Sequence, residues 1–326
     1  MFFMKTIVFE KYGPPDVLKI KEIDKPEPGD DDILIKVRTS SVTKFDCWQR
    51  SATAPTGFGL LSRLVSGPLK PKNTILGTEL AGDIEAIGKN VKSFKTDDPV
   101  IGYTGMRLGA YAEYICLPEH SAVVKKPAKV SYEEAGSVMQ GALTALYFLR
   151  YANLRKGQKI LIYGASGGVG RPAVQLAKHM GAEVTGTCSS SKAEMVKSLG
   201  ADTIIDYKKE DFTATGETYD VIVDTTGICP VLKCKKILKP GGYYLSTTFG
   251  IPQLAKMFWF RSRTGNHLFM GTLKEEAKDM MFLCNLMESG ELKVPTDRIF
   301  PMEQAAEAHR YVESGQKSGN VVLAFQ

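Results

Sequence analysis

Cysteine is scarce in this sequence of 326 residues, and its six cysteines form no CxxC pair. Their irregular spacing excludes a small disulfide scaffold and predicts free thiols in a reducing compartment. No apolar run approaches the roughly 20 residues that a membrane-spanning helix needs, and no basic leader with an apolar core opens the chain. We therefore expect a cytoplasmic protein with no membrane partner.

Dense positive charge is also missing. The net charge is +6, and basic residues form no run longer than pairs such as those at 125–126 and 235–236. A nucleic-acid-binding domain usually has a denser basic patch, so we expect no nucleic-acid partner. The small basic excess suits an anionic ligand such as a phosphorylated cofactor.

A glycine-rich turn lies in the middle of the chain, between an apolar run at 159–163 and a helical pattern from 171. Glycine allows a sharp turn and lets a pyrophosphate approach the backbone, while the free N–H groups of the helix N-terminus attract the anion. A predicted strand at 183–187 completes a βαβ unit of about 30 residues. A tight turn without a ligand is the alternative interpretation. The pattern predicts a dinucleotide site at Gly164, Ala165, Ser166, Gly167, Gly168, Val169 and Gly170.

The pattern of predicted strands and helices divides the chain into three segments. Short alternating strands, including one at 111–116, fill residues 1–125, and alternating helices and strands follow in residues 126–265. The second pattern predicts a doubly wound parallel sheet, that is, a Rossmann domain. Residues 266–326 do not extend the alternation, and we expect them to return to the first, β-rich domain. The fold class is therefore α/β with a β-rich domain split in sequence.

Two local patterns refine this picture. Ser131 stands three residues before Glu134, which indicates a capped helix start. The stretch 51–73 is rich in glycine, proline and serine and predicts a long loop. Its Phe58, Leu60 and Leu61 either line an apolar pocket or pack locally.

The chain resembles the medium-chain dehydrogenase/reductase superfamily, and within it the zinc-free quinone oxidoreductases related to zeta-crystallin. Six segments carry the resemblance by their order and spacing: 77–82, 109–114, 141–145, 164–170, 199–202 and 305–309. The resemblance implies a GroES-like β domain, split in sequence, around a central Rossmann domain. It also implies a homodimer that pairs Rossmann edge strands, for which 267–271 is the candidate; an ordinary internal strand is the alternative.

The zinc ligands of the related zinc alcohol dehydrogenases have no counterpart here. The matching positions are Thr43, Thr78 and Gln140, none of which is a good zinc ligand. No cysteine lies between residues 90 and 115, where those enzymes carry a structural zinc loop. We therefore expect no metal.

The end of the second predicted Rossmann strand favours NADPH over NADH. It lacks the acidic residue that usually binds the ribose 2′-hydroxyl of NAD and instead runs into Ser189, Ser190, Ser191 and Lys192. Hydroxyl groups and a cation suit a 2′-phosphate. The resemblance implies that Lys192 binds this phosphate and that Tyr207 lies near the adenosine ribose. Alternatively, the serines cap a helix that begins near Lys192.

Further cofactor contacts are expected where parallel strands end, because open α/β sheets bind ligands at the carboxyl ends of their strands. For each of them a structural role in a loop is the alternative. The resemblance adds one position in a helix and one near the C-terminus. Together these candidates are Thr144, Thr225, Thr226, Gly227, Thr247, Thr248, Phe249 and Asn320.

The resemblance implies that a hydride passes from NADPH to a quinone or to the β-carbon of an α,β-unsaturated carbonyl compound. The protein must then stabilise and protonate the substrate oxygen. The candidate residues are Thr43, Asp46, Trp48 and Tyr103. Asp46 matches an Asn-x-x-Asp segment of the family in which Thr43 replaces asparagine; a helix cap is the alternative role for Asp46, and a core position for Trp48. Two other functions stay open: reduction of another carbonyl compound, and a binding or regulatory role of the crystallin type with weak or no turnover.

Overall fold

Two large β-sheets organise the protein in a computed structural model, which describes residues 2–53, 63, 66–248, 265–271 and 276–325. Phe58, Leu60, Leu61 and Phe249 lie outside the described residues. Among the helices in this part of the chain, none is long and apolar enough to cross a membrane.

Fifteen strands are described, and they alternate with helices in the second half of the chain. In chain order, the strands are β1 (Phe3–Phe9), β2 (Leu18–Asp24), β3 (Asp32–Ser41), β4 (Glu79–Ile87), β5 (Pro99–Tyr103), β6 (Tyr114–Pro118), β7 (Val123–Lys125), β8 (Lys159–Tyr163), β9 (Glu183–Cys188), β10 (Thr203–Asp206), β11 (Tyr219–Asp224), β12 (Leu238–Ser246), β13 (His267–Met270), β14 (Thr296–Pro301) and β15 (Asn320–Ala324). The described α-helices are α1 (Lys44–Ser51), α2 (Tyr132–Ala135), α3 (Met139–Tyr151), α4 (Gly170–His179), α5 (Ala193–Ser198), α6 (Val231–Cys234), α7 (Ala277–Ser289) and α8 (Ala305–Glu313).

The six-stranded sheet is parallel throughout and has the order β10-β9-β8-β11-β12-β13. Its central strand β8 is a continuous apolar run in which Ile160, Leu161 and Ile162 are fully buried. Such a run is typical of a parallel strand that is covered by helices on both faces. The apolar run at 159–163 is strand β8, and the strand predicted at 183–187 is β9, which extends one residue further to Cys188.

The seven-stranded sheet joins the two ends of the chain. Its order is β14-β15-β3-β4-β5-β7, and β6 also pairs with β3. Antiparallel pairing places Val322 of β15 opposite Ser41 of β3. The predicted fold class, a doubly wound parallel sheet with a β-rich domain split in sequence, is therefore confirmed.

The predicted division at residue 265 is too early. β13 pairs in parallel with β12, so the parallel sheet continues to Met270. Met280 and Leu283 of α7 pack in the same hydrophobic core as Ile160 and Ile162 of β8. Among the described residues after Met270, those from β14 onward join the seven-stranded sheet.

Local interactions explain where the other predicted elements differ from the structure. The strand expected at 111–116 is β6 at Tyr114–Pro118, because the backbone around Tyr111 bonds to β1 instead: Ile7 N donates to Tyr111 O over 2.9 Å. The predicted capping box of Ser131 and Glu134 is present, although α2 is only one turn long. A 3-10 turn at Met302–Gln304 leads directly into α8.

Candidate functional site

A cavity of about 600 Å³ lies between the carboxyl ends of the parallel strands and the seven-stranded sheet. Tyr163, Thr187 and Cys188 reach its wall from the ends of β8 and β9, and Ser41 and Glu79 reach it from β3 and β4. The carboxyl edge of an open parallel sheet is where such folds bind ligands. The cavity therefore joins the predicted dinucleotide edge to groups of the second sheet.

The glycine-rich loop forms one wall of this cavity. Five of its seven predicted residues line the wall: Gly164, Ser166, Gly167, Gly168 and Val169. Ala165 and Gly170 lie behind it, so they shape the loop and do not face the cavity.

Glycine is required at two positions of the loop. Gly164 has a positive φ of 85°, and a Cβ added at Gly170 would lie 2.1 Å from the carbonyl oxygen of Gly164. The helix α4 begins at Gly170 and directs its first N–H groups toward the loop. This geometry fits the pyrophosphate of a dinucleotide.

Lys192 lines the cavity and also holds a neighbouring loop. Its ammonium donates to Gln316 O over 3.1 Å, to Lys317 O over 2.7 Å and to Ser318 Oγ over 2.6 Å. An ammonium has three N–H donors, so these three bonds use all of them. Lys192 therefore contributes its charge at the end of β9 while it connects the parallel sheet to the loop before β15.

The serines before Lys192 differ from one another in their contacts. Ser189 lines the cavity, whereas Ser190 donates from both its backbone N–H and its hydroxyl to Asp206 at the end of β10. The alternative that these serines cap a helix is wrong, because Ser189 precedes a 3-10 turn and makes no side-chain cap bond. Asp206 is an acidic neighbour that the sequence pattern did not indicate.

Most of the other predicted cofactor positions also reach the cavity. Its wall includes Thr144, Tyr207, Thr225, Thr226, Thr247, Thr248 and Asn320, whereas Gly227 is not part of it. The Asn320 side chain donates to Ser137 O over 2.7 Å and accepts from the buried guanidinium of Arg171. It thereby connects β15 to the start of α4 and to the segment before α3.

The four predicted catalytic residues separate into two pairs. Thr43 and Trp48 line the cavity, but Asp46 and Tyr103 do not. Tyr103 packs in the hydrophobic core with Ile101. The prediction that these two side chains contact substrate is thus corrected, because burial keeps them from the cavity.

Asp46 caps α1, as the alternative interpretation proposed. Its Oδ2 accepts from Thr43 N over 2.9 Å and from the Thr43 hydroxyl, and its Oδ1 accepts from Gly77 N over 3.1 Å. Burial raises the pKa of Asp46 to about 6. Since the Thr43 O–H is used in this cap, Thr43 offers the cavity no free donor.

Glu79 is a functional candidate that sequence reasoning did not select. It lies at the cavity wall, where its Oε1 accepts from the Ser41 hydroxyl and its Oε2 accepts from Gln140 N over 2.9 Å. Burial raises the pKa of this carboxyl to about 7. The sequence did contain a signal for Glu79, because this residue stands in the 77–82 segment at the start of an apolar strand. That segment was interpreted only as one of the six that carry the family resemblance.

Lys317 is a second such candidate, and no sequence signal pointed to it. Its side chain lines the cavity from the loop between α8 and β15. Burial, followed by the nearby charge of Arg171, lowers the pKa of Lys317 to about 8. Strand pairing across the ends of the chain alone brings this lysine to the site.

The positions that match zinc ligands do not fit a zinc ion. Thr78 Oγ1 donates to Gln140 Oε1 over 3.3 Å, and Thr43 belongs to the cap of α1. Hydroxyl and amide groups are poor zinc ligands. In the part of the chain that the structure describes, no group of three His, Cys, Asp or Glu side chains is arranged to hold a metal.

Comparison with known proteins places this architecture in a family. Two family models match: the alcohol dehydrogenase GroES-like domain over residues 29–128 and the zinc-binding dehydrogenase over residues 199–323. The chain is 31% identical to a quinone oxidoreductase of Pseudomonas aeruginosa over 98% of this chain and 99% of that protein. It is 30% identical to an Arabidopsis thaliana chloroplastic NADPH-dependent alkenal/one oxidoreductase, over 98% of this chain and 79% of the relative.

A solved structure supports the same relationship. The Escherichia coli quinone oxidoreductase complexed with NADPH superimposes with a TM-score of 0.85 at 26% identity, over 98% of this chain and 100% of that one. The fold and the matches define an oxidoreductase with a pyridine-nucleotide-binding fold. The chain belongs to the zinc-free quinone oxidoreductase group of the medium-chain dehydrogenase/reductase superfamily, and the predicted resemblance is confirmed.

Proposed function

We propose that this protein is an NADPH-dependent reductase that transfers a hydride to a quinone or to an α,β-unsaturated carbonyl compound, without a metal ion. One observation carries the proposal: a single cavity joins the glycine loop at Gly164 to the side chains of Ser41, Glu79 and Trp48. The names of the relatives, quinone oxidoreductase and NADPH-dependent alkenal/one oxidoreductase, support the substrate class.

The preference for NADPH rests on the end of β9. Ser189 and Lys192 face the cavity there, and no acidic residue occupies the end of this strand. A hydroxyl and a fixed positive charge attract a 2′-phosphate, whereas the NAD ribose is usually bound by a carboxylate. The three bonds of Lys192 keep its ammonium at the cavity wall, and a bound 2′-phosphate would replace one of them as acceptor.

A substitution at Lys192 tests the cofactor preference. Lys192→Ala should weaken NADPH binding by about 10- to 100-fold, the equivalent of about 1.5–3 kcal/mol, and should weaken NADH binding much less. Fluorescence titration with each cofactor measures both dissociation constants. Ser318→Ala is the matched control, because it removes one bond of Lys192 but keeps the charge, so both cofactors should change little. Equal weakening of the two cofactors by Lys192→Ala would contradict the assignment.

The chain itself orients and encloses the reactants. When bound, NADPH supplies the hydride. The glycine loop and Asn320 position the dinucleotide, and Phe45 and Trp48 provide apolar wall for a planar substrate. Where a bound substrate displaces water from this apolar wall, hydrogen bonds to the substrate oxygen are stronger than in solvent.

The function is tested with purified protein that has been treated with a chelator. NADPH and NADH oxidation are measured with benzoquinone, naphthoquinone, phenanthrenequinone, an alkenal, an enone and a simple aldehyde. We expect NADPH-preferring turnover of a quinone or enone, unchanged by added zinc. Turnover of the aldehyde alone would favour reduction of another carbonyl class, and tight NADPH binding with no turnover would favour a non-catalytic role.

A further inference from the structure

We propose that Ser41 and Glu79 form a proton relay in the cavity wall, in which Ser41 donates a proton to the reduced substrate and receives one from Glu79. The inference rests on the proposed function, and it supplies the proton donor that the reaction needs. The residues lie on adjacent strands of the seven-stranded sheet, at the end of β3 and the start of β4.

The contacts of the two side chains suit such a relay. Both are almost fully buried, at 2% and 1% exposure, yet both belong to the cavity wall. The Ser41 hydroxyl donates to Glu79 Oε1, and no group among the described residues donates to Ser41 Oγ. For the relay, the Ser41 O–H turns from Oε1 toward the substrate, and the protonated carboxyl group of Glu79 then donates to Ser41 Oγ, the reverse of the bond in the structure.

The second carboxyl oxygen of Glu79, Oε2, makes a different contact. Oε2 accepts from Gln140 N in the first turn of α3, where Val138 at the N-cap provides no side-chain cap. This bond fixes the carboxyl group and leaves Oε1 toward Ser41. Glu79 thus holds its position by one oxygen and can exchange a proton through the other.

The electrostatic surroundings allow Glu79 to hold a proton near neutral pH. Burial is the main cause that raises its pKa to about 7, and the negative charge of Asp46 on α1 acts in the same direction. The Ser41 and Gln140 hydrogen bonds oppose this shift. Tyr111 and Lys317 are the other titratable groups that interact with Glu79, the latter from the loop before β15.

Thr43 and Asp46 form a similar pair of hydroxyl and carboxyl groups, but their contacts are unfavourable for a relay. Thr43 Oγ1 already accepts from Asp46 N over 3.3 Å, and both carboxyl oxygens of Asp46 accept from backbone N–H groups. Together with the Thr43 hydroxyl, these two N–H groups give the carboxylate three hydrogen bonds, which favour its ionised form. The pair closes the start of α1, and each of its three oxygens already accepts a hydrogen bond from a backbone N–H group.

The step balances in atoms and electrons. An enone substrate receives a hydride with its electron pair at the β-carbon, and the nicotinamide is oxidised as its C4–H bond breaks. The π electrons move to the substrate oxygen, which becomes an enolate. The Ser41 O–H bond breaks as the proton moves to the enolate, the Glu79 proton moves to Ser41, and solvent later reprotonates the carboxylate. The enol formed from an enone then tautomerises to the saturated carbonyl product. A quinone that receives the hydride and the proton in the same way gives a keto tautomer, which loses a proton at carbon and gains one at oxygen to become the hydroquinone.

The pH profile of kcat in the full-length protein tests the relay. With saturating NADPH and substrate, wild-type kcat should be constant at low pH and fall about tenfold per pH unit above pH ~7. Above this pH the Glu79 carboxyl group is ionised and has no proton to pass to Ser41. Glu79→Gln keeps an oxygen for Gln140 N but cannot titrate, so kcat should fall about 100-fold and lose this inflection. NADPH affinity and KM should stay within about twofold, which a merely structural defect would not do.

Two further variants make the result decisive. Ser41→Ala leaves the Glu79–Gln140 bond intact and should cause a similar loss of kcat, which also covers the case that Glu79→Gln does not fold. Thr43→Val interrupts the other pair. If Glu79→Gln retains wild-type kcat and its inflection, or if Thr43→Val alone removes the inflection, the relay is overturned.

An infrared measurement separates this inference from the proposed function. The difference spectrum between wild type and Glu79→Gln should contain a protonated carboxyl band that disappears as pH rises through about 7. If the wild type reduces no quinone or enone, the proposed function fails, while this band still decides whether Glu79 holds a proton. Absence of the band at pH 6 overturns the relay regardless of turnover.

Discussion

Asn320 connects three parts of the chain through one amide group. It donates to Ser137 O and accepts from Arg171, whose guanidinium is 2% exposed next to the glycine loop. Burial lowers the pKa of Arg171 to about 10. The amide oxygen therefore compensates a buried cation at the start of α4, in addition to its place in the cavity wall.

Removal of this amide should affect both stability and cofactor binding. We expect Asn320→Ala to lower the free energy of unfolding by about 1–3 kcal/mol, because a buried charged donor loses its acceptor. NADPH affinity should fall because α4 and its glycine loop lose a support. Urea unfolding and NADPH titration measure the two effects. Asn90→Ala, at an exposed asparagine, is the control, and an Asn320→Ala variant no less stable than this control would contradict the interpretation.

The first turns of α1 and α2 use the same capping box in different surroundings. Thr43 and Asp46 close α1 inside the protein, and Ser131 and Glu134 close α2 at the surface. The sequence indicated the second box directly. For the first, the spacing allowed both a cap and a catalytic role, and only the burial of Asp46 against Gly77 shows which of them it has.

The two caps should differ in their contribution to stability. We expect Asp46→Ala to lower the free energy of unfolding by about 2–4 kcal/mol, because it removes a helix cap and also leaves the buried Gly77 N–H without a partner. Ser131→Ala should cost only about 1 kcal/mol, because water replaces the cap. Urea denaturation of both variants measures the difference, and equal costs would show that the Gly77 bond adds nothing.

The cavity lies between the two sheets, and the parallel sheet has an edge strand on each side. Its described edge strands are β10 and β13. The backbone groups along an unpaired edge favour pairing with another strand. The family resemblance and this edge together support a homodimer formed through β13, which stays a prediction.

The dimer can be tested by a charge at this edge. Sedimentation equilibrium should give twice the mass of one chain for the wild type. His267→Lys should raise the dissociation constant, because two copies of an exposed edge residue would bring like charges together. His120→Lys carries the same change in the exposed turn between β6 and β7 and should leave the dimer intact. A wild-type chain that sediments as a monomer would contradict the prediction.

The buried carboxyl group of Glu79 should make folding stability depend on pH. Its pKa rises from 4.5 to about 7 on folding, so between these values the native state binds a proton that the unfolded state has lost. Stability contributed by this group is therefore full below about pH 4.5 and is lost as pH rises to about 7. Relative to Glu79→Gln, the wild type should lose on the order of 3 kcal/mol across this range. Urea unfolding at several pH values measures this difference, and a difference that is independent of pH would contradict it.

Local patterns in the sequence determined the parallel strands, the glycine loop and the family. The bounds of β8 and the glycines at 164 and 170 follow from short-range rules, because apolar runs and tight turns depend on neighbouring residues. The roles of Asp46 and Tyr103 and the presence of Glu79 and Lys317 at the cavity did not follow from them. These depend on strand pairing between distant segments, such as Ser41 with Val322, which decides whether a polar side chain becomes buried or reaches the cavity. Burial and proximity across the chain, which set the pKa of a carboxyl group and the partners of an ammonium, exist only once the two sheets have packed together.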